Sequence, residues 1–404
     1  MALVLSREDD TSVGKSLRKE NLMAGNAVTA TKVTRNLMRP LPLLLLVYFG
    51  LRLLNVAVLA WFADSQGQRW DTFLLSWDSE WLMRAAQVGW PSIDLSDPAP
   101  GQTTWAWPPL VPLLARAVGS IAGDAATGPS LILVNMAAGA MASIVVYKMV
   151  CEFWDERSGL VAAFTWMAMP GSAVLVMGYA EGVFIALVFS ALWAMQRHRY
   201  LLAAVLLVPA GMTKLQVVPF ALALVAVVGL QWWRSARSQP SSGVLIGSIA
   251  LSLVSMLLWP AIVAARLGSW DAYNQIRATW NHETVPFLNT INWLEWLVTE
   301  PNRSNLVNAL ALALAVIAGI WALRQETIPT GLKVVGMTMP VFLAYAGAGV
   351  STVRYLLPDL VIALLLSRLV RHRWQMLLLG LVLVVGQIVW VAVFVVADSG
   401  STPP

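Results

Sequence analysis

From Pro40 onward the chain is a succession of long apolar runs broken by short polar stretches. With 58% hydrophobic and only 12% charged residues, against about 45–50% apolar and about 25% charged in soluble domains, these runs cannot all be buried in a water-soluble core. The chain therefore reads as a polytopic membrane protein, in which only helices or a closed barrel satisfy the backbone. The runs are continuous and do not alternate with period two, so the expected fold is an all-α bundle.

Eleven spans are expected, near 41–63, 130–149, 158–178, 181–196, 199–213, 215–233, 243–266, 305–323, 332–350, 355–370 and 375–396. Several lie at or below the roughly 17 residues that cross a bilayer, which predicts broken or tilted helices. Residues 1–40 read as a flexible cytoplasmic tail, 41–396 as the transmembrane domain and 397–404 as an outer tail. Residues 64–129 form a first outer loop expected to carry amphipathic helices, and 267–304 a second long outer loop. The first apolar run starts too late, and lacks the small-residue site, for a cleaved signal peptide.

Segment 107–122 is apolar, but Pro108, Pro109, Pro112 and Arg116 argue against a span. With it left uncrossed, eighteen of the 27 Lys and Arg residues fall on the side of the N-terminus and eight on the other, with Arg52 inside a span. The excess of basic residues marks the cytoplasmic side. The N-terminus is then inside and the C-terminus outside, and a bacterial plasma membrane is the expected location. The single cysteine, Cys151, excludes an internal disulfide and a cysteine zinc site.

This topology collects the polar residues of distant segments on the outer face. In Ser76–Arg84, read as a helix, Trp77, Trp81 and Arg84 share one side while Asp78 and Glu80 point to different sides. Asp78, flanked by tryptophans at a membrane interface, is placed where desolvation raises proton affinity toward the range of a general base. The alternative is a solvated loop aspartate, and Glu80 carries the same two readings. Glu181, at a span boundary beside Tyr179, reads as a site residue or as a helix N-terminal charge facing the macrodipole. Lys214 and Arg354, each between spans with almost no loop, read as phosphate ligands or as snorkelling cations. His282 is the one histidine expected outside, to assist proton transfer, to meet an acceptor headgroup, or simply to be solvated. Ten of the twenty tryptophans, Trp107 among them, lie in the two long outer loops. Interfacial belts account for some of them, and a sugar- or lipid-binding cavity accounts better for their concentration.

The outer histidine and carboxylates lack metal-ligand spacing, and no phosphate-cradling Gly-rich loop or nucleotide fingerprint occurs, so neither a metal, a cofactor nor nucleic acid is expected. Nucleotide sugars and ATP are cytoplasmic. A synthetic enzyme facing outward needs a lipid-linked phosphosugar, cations for the departing phosphate and a base for the acceptor hydroxyl.

An ordered series of short motifs completes the reading. It comprises Trp77-Asp78 with Trp81, Arg84 and Gly89-Trp90; Pro109-Leu110-Val111-Pro112-Leu113-Leu114; Pro170 and Ser172; Tyr179-Ala180-Glu181-Gly182-Val183-Phe184; and Gly211-Met212-Thr213-Lys214. The series resembles the lipid-phosphate-mannose-dependent glycosyltransferases of the GT-C superfamily, above all the second mannosyltransferase of GPI-anchor synthesis and its bacterial relatives. It covers most of 41–360 and departs from the family at Met169, Ala180 and Lys214, where Asn, Ser and Arg are expected. The resemblance implies inverting transfer of mannose from a polyprenyl-phosphate donor to a lipid-linked or glycan acceptor, with Asp78 as the base. Trp77, Glu80, Trp81, Arg84, Trp107, Tyr179, Glu181, Lys214, His282 and Arg354 are the candidate substrate-binding residues. The rivals are a secondary transporter or lipid flippase, against which stands the absence of an internal repeat, and an inactive scaffold.

Overall fold

A computed structural model describes residues 40–93, 95, 102–123, 126–234, 242–279, 291–292, 295, 298–299, 303–346 and 351–392. The expected tails, 1–39 and 397–404, and much of the second outer loop, His282 included, lie outside the described residues.

Helix α1 (Leu41–Ser65) leads through a 3₁₀ turn (Thr72–Leu74) to the short α2 (Asp78–Val88). A second 3₁₀ turn (Thr104–Ala106) precedes α3 (Leu110–Ala122) and the long α4 (Thr127–Phe153). Then come α5 (Glu156–Ala168), a 3₁₀ helix (Pro170–Val176), α6 (Glu181–Gln196) and α7 (Tyr200–Gly211). A 3₁₀ turn (Leu215–Val217) opens α8 (Val218–Arg234), followed by α9 (Ser242–Leu267) and α10 (Ala272–Ala278). The chain closes with α11 (Arg303–Leu323), α12 (Thr330–Ala346), α13 (Thr352–Tyr355), α14 (Leu360–Arg368) and α15 (Arg373–Trp390).

Among the described residues six helices are long and apolar enough to cross a membrane, or seven if α5 and the 3₁₀ helix after it form one span bent by 73°. The other expected spans fall on α6, α7, α12 and α14. At 1.5 Å per residue, the 16 residues of α6 and the 12 of α7 reach only about 24 and 18 Å, short of a hydrocarbon core of about 30 Å. The described residues of 64–129 hold two short α-helices, α2 and α3.

Two expected spans are interrupted where proline sits. The run 158–178 breaks at Met169, which takes φ −55° and ψ 142° because Pro170 forbids helical geometry in the residue before it. The break frees carbonyls in an apolar interior, and α1 and α15 supply the missing donors. Arg52 gives one N–H to the Met167 carbonyl at 2.6 Å, another to the Ser172 carbonyl, and approaches Ser172 Oγ at 3.1 Å. Gln387 Nε2 donates to the carbonyls of Met167 and Met169 at 3.0 and 3.2 Å and to Ser172 Oγ at 2.8 Å. The run 355–370 is also divided: α13 stops at Tyr355 and α14 starts only at Leu360. Pro358 cannot donate to a helical ladder, and Asp359 caps the new helix by accepting from the Val361 N–H at 3.2 Å.

Helices α4, α5 and α6 form the centre, and their buried faces make one continuous core with α7, α8, α12 and α14. Helices α1, α9, α11 and α15 lie outside, with Leu46, Leu53, Leu257, Leu310, Leu377 and Leu381 exposed as on a lipid-facing surface. Close approach is set by small residues, as is usual between membrane helices: a Cβ on Gly211 would strike the Ser255 backbone, so α7 and α9 pack nearly backbone to backbone.

Candidate active site

At one end of the bundle four charged side chains from four distant segments meet. Arg354 Nη1, on α13, donates to Asp78 Oδ2, the first residue of α2, at 2.8 Å. The same guanidinium places Nε 3.5 Å from Glu181 Oε1 at the start of α6. Lys214 Nζ, on the turn before α8, reaches that Glu181 oxygen at 2.5 Å. Two carboxylates and two cations thus close a neutral quartet, as burial of charge demands.

Each member is held by local structure. Trp77 adopts φ +51° and ψ −114°, a conformation that costs a non-glycine residue of order 1–3 kcal/mol. It turns the chain so that α2 begins with Asp78 facing inward. Ser79 Oγ donates to the Leu74 carbonyl at 3.4 Å and the Gly178 N–H to the same carbonyl at 2.9 Å, which ties α2 to the segment before Glu181. Asn135, buried in the middle of α4, fixes the next step. Its Nδ2 donates to the carbonyls of Val174 and Met177 at 2.9 and 2.8 Å, and its Oδ1 accepts from the Gly182 N–H at 2.6 Å. Gln216 Nε2 donates to the Tyr355 carbonyl at 2.7 Å and joins the Lys214 turn to α13. A Cβ on Gly171 would lie 2.6 Å from the Val353 carbonyl, so the 3₁₀ helix packs directly against the backbone that carries Arg354.

The two cations differ in availability. Arg354 is enclosed, its guanidinium carbon 4.9 Å from the ring centres of both Tyr179 and Tyr355, with Tyr355 OH 3.2 Å and Ser351 Oγ 3.4 Å from Nη2. Its side chain is 1% exposed, against 14% for Lys214, whose ammonium also faces the Tyr355 ring at 4.9 Å. Lys214 is therefore the cation an arriving anion can reach without dismantling the quartet. Burial pushes the Asp78 carboxyl above its ordinary range and Glu181 adds to that, while Arg354 and Lys214 pull the other way. Two buried acceptors, Glu181 Oε2 and Tyr179 OH, take no hydrogen bond among the described residues.

Of the residues singled out in the sequence, the structure brings together Asp78, Tyr179, Glu181, Lys214 and Arg354. Trp77 packs half-buried against the core beside them. Glu80 is exposed on the far side of α2. Arg84 is exposed as well and lies over the Trp81 ring, 5.4 Å from its centre. Trp107 packs against the small buried cluster of Leu82, Val111, Ala115 and Leu131, and its carbonyl accepts from Trp90 Nε1 at 3.0 Å. Trp90 and Trp105 are packing residues: both lie against Trp259 of α9, at 5.9 and 5.8 Å between ring centres, and pin the first outer loop to α9 and α10. Asn135, Gln216 and Ser351 join the site from outside the candidate set. Asn135 had a visible signal, a polar residue inside an apolar run. Among the described residues no group of three or more His, Cys, Asp or Glu side chains is placed to hold a metal.

Together these features define a multi-pass, all-helical membrane protein with a buried polar centre at one end. Residues 106–259 match the family model described as dolichyl-phosphate-mannose-protein mannosyltransferase. Solved structures similar to it include the apo oligosaccharyltransferase of Archaeoglobus fulgidus, at 15% identity and TM-score 0.47 over 89% of this chain and 55% of that one. The complex of that enzyme with zinc and sulfate gives 13% identity and TM-score 0.46 over 88% and 53%. The same organism's AglB, bound to an inhibitory peptide and a dolichol-phosphate, gives 14% and 0.45 over 91% and 56%. The chain thus spans little more than half the length of these structures. No curated protein sequence matches it.

Proposed function

We propose that the chain is a membrane glycosyltransferase that moves mannose from a polyprenyl-phosphate donor to a hydroxyl of a lipid-linked or glycan acceptor at the outer face of a bacterial plasma membrane. The observation that carries the reading is the buried Asp78–Arg354–Glu181–Lys214 quartet in a chain whose residues 106–259 match a mannosyltransferase family model. In this reading Asp78 takes the proton of the acceptor hydroxyl as its oxygen attacks C1 of the sugar. The bond between C1 and the phosphate oxygen breaks, its electron pair leaves with the polyprenyl phosphate, and the anomeric centre inverts.

Lys214 meets the departing phosphate as a point charge. Arg354 acts through Asp78, holding the carboxylate in place and charged from within a cage of tyrosines. Glu181 Oε2 and Tyr179 OH, both lacking partners among the described residues, supply hydrogen bonds to sugar hydroxyls. Trp77 and Trp81 carry the helix that aims Asp78.

The test is reconstitution of the purified protein in liposomes with polyprenyl-phosphate mannose and a membrane lipid extract, followed by mass spectrometry. The expected result is an acceptor heavier by one hexose and release of polyprenyl phosphate. Movement of the lipid-linked sugar between leaflets with no transfer product would favour the flippase reading instead.

A further inference from the structure

At the end of the bundle opposite the quartet, α5 begins and α14 ends. The two helices run antiparallel between this end and the charged centre: α5 leads from here to the Met169 break and Gly171 beside Arg354, and α14 starts five residues after Tyr355 and ends here. Between their distal ends lies a cleft of about 490 Å³, lined by Asp155, Arg157, Ser158, Arg368 and Arg371 together with Val161 and Val370. We propose that this cleft binds the phosphate of an anionic phospholipid headgroup.

Three guanidinium groups line the cleft, and none has a carboxylate within 4 Å among the described residues. Arg157 uses Nη2 on the Arg371 carbonyl at 2.8 Å, which draws these two residues to the same wall. The Arg368 guanidinium carbon lies over Trp154, 3.8 Å from the ring centre, and Trp154 is itself anchored by Nε1 donating to Thr327 Oγ1 at 2.9 Å. The one acid in the lining, Asp155, caps α5, accepting from the Ser158 N–H at 2.9 Å and the Ser158 hydroxyl at 2.8 Å, and offsets only part of the charge of Arg368 and its two neighbours. The cleft therefore keeps a net positive charge and offers forked donors of the geometry that phosphate accepts.

The surroundings select a lipid over a free anion. Leu369 lies between Arg368 and Arg371 in the chain and is 64% exposed, and Leu377, on the first turns of α15, is 72% exposed. Trp374, at the start of that helix, is also exposed, as interfacial tryptophans are. A headgroup in the cleft thus has apolar surface beside it for its acyl chains. Basic pockets between membrane helices recognise anionic headgroups in this way.

The experiment is native mass spectrometry of the purified full-length chain, equilibrated with phosphatidylglycerol or phosphatidylcholine. One phosphatidylglycerol should be retained in preference to phosphatidylcholine. Its affinity should fall about fivefold for each arginine removed in the series Arg371→Gln, then with Arg368→Gln, then with Arg157→Gln. Replacement of all three by lysine should leave the preference for the anionic lipid in place at a reduced affinity, because charge is conserved and the forked contacts are lost, and an unchanged melting temperature in the single Arg371→Gln variant secures the comparison on folded protein. Equal retention of the two lipids, or a phosphatidylglycerol affinity unmoved by the glutamine series, would overturn the proposal. Displacement by inorganic phosphate as efficient as by the lipid would overturn it in favour of a free-anion site.

Discussion

The Asp78–Arg354 pair makes a prediction whose size follows from its burial. Both side chains are under 10% exposed and meet at 2.8 Å. Replacing Arg354 with Gln leaves two carboxylates, Asp78 and Glu181, in an enclosed site with only Lys214 to answer them. Removing one partner of a buried pair costs about 3–5 kcal/mol, and Arg354→Gln should lose that much stability. Asp78→Asn is milder, because Arg354 keeps Glu181 at 3.5 Å and the faces of two tyrosines. The expected loss is about 1–3 kcal/mol, that of a broken buried hydrogen bond. The double variant should be more stable than the sum of the two losses implies, by about 1–3 kcal/mol of coupling. Equilibrium unfolding in mixed micelles measures all three. Additivity within about 0.5 kcal/mol, or an Arg354→Gln variant as stable as the parent, would refute the claim that Arg354 is the counter-charge of the site.

Three further outcomes follow from the same geometry. A base works only when deprotonated, and burial holds the Asp78 carboxyl above the ordinary aspartate value of about 3.9. The transfer rate should therefore fall on acidification at a pH above that value, and a profile flat down to it would remove Asp78 as the base. Lys214→Met should weaken binding of the polyprenyl-phosphate donor about tenfold or more, the scale of a lost charge-assisted hydrogen bond, while Lys214→Arg restores most of it; unchanged donor affinity in titrations would deny Lys214 that role. Gly171→Ala should displace the Val353–Arg354 backbone and cost about 1–3 kcal/mol, with a drop in transfer, whereas a silent substitution would show that this close packing does not position Arg354.

The membrane class is legible from the apolar runs alone, since no soluble core accommodates them. The breaks at Pro170 and Pro358 are written in the residues as well. Their consequence is not, because it depends on which neighbour supplies donors: Arg52 and Gln387 stand in runs 115 and 220 residues from Met167, and their partners appear only in three dimensions. The site divides along the same line. Asp78 stands out as a carboxylate between tryptophans in the first outer loop, and Glu181, Lys214 and Arg354 as charges at span boundaries, but the contact between Asp78 and Arg354 bridges 276 residues. In sequence Arg354, with its bidentate fork, reads as the better phosphate ligand and Lys214 as a point charge. Burial separates them, enclosing Arg354 and leaving Lys214 partly open. The packing of Trp90 and Trp105 around Trp259, which seats the loop, is likewise visible only in three dimensions.

If the quartet is the place of sugar transfer, Asp78 receives the proton of the acceptor hydroxyl. Asp78→Asn in liposomes, measured for single-turnover transfer from polyprenyl-phosphate mannose alongside donor binding, tests it most directly. Transfer should slow by at least about a hundredfold, with donor affinity close to that of the parent because Lys214 and Glu181 remain. Transfer at the parent rate by this variant would contradict it.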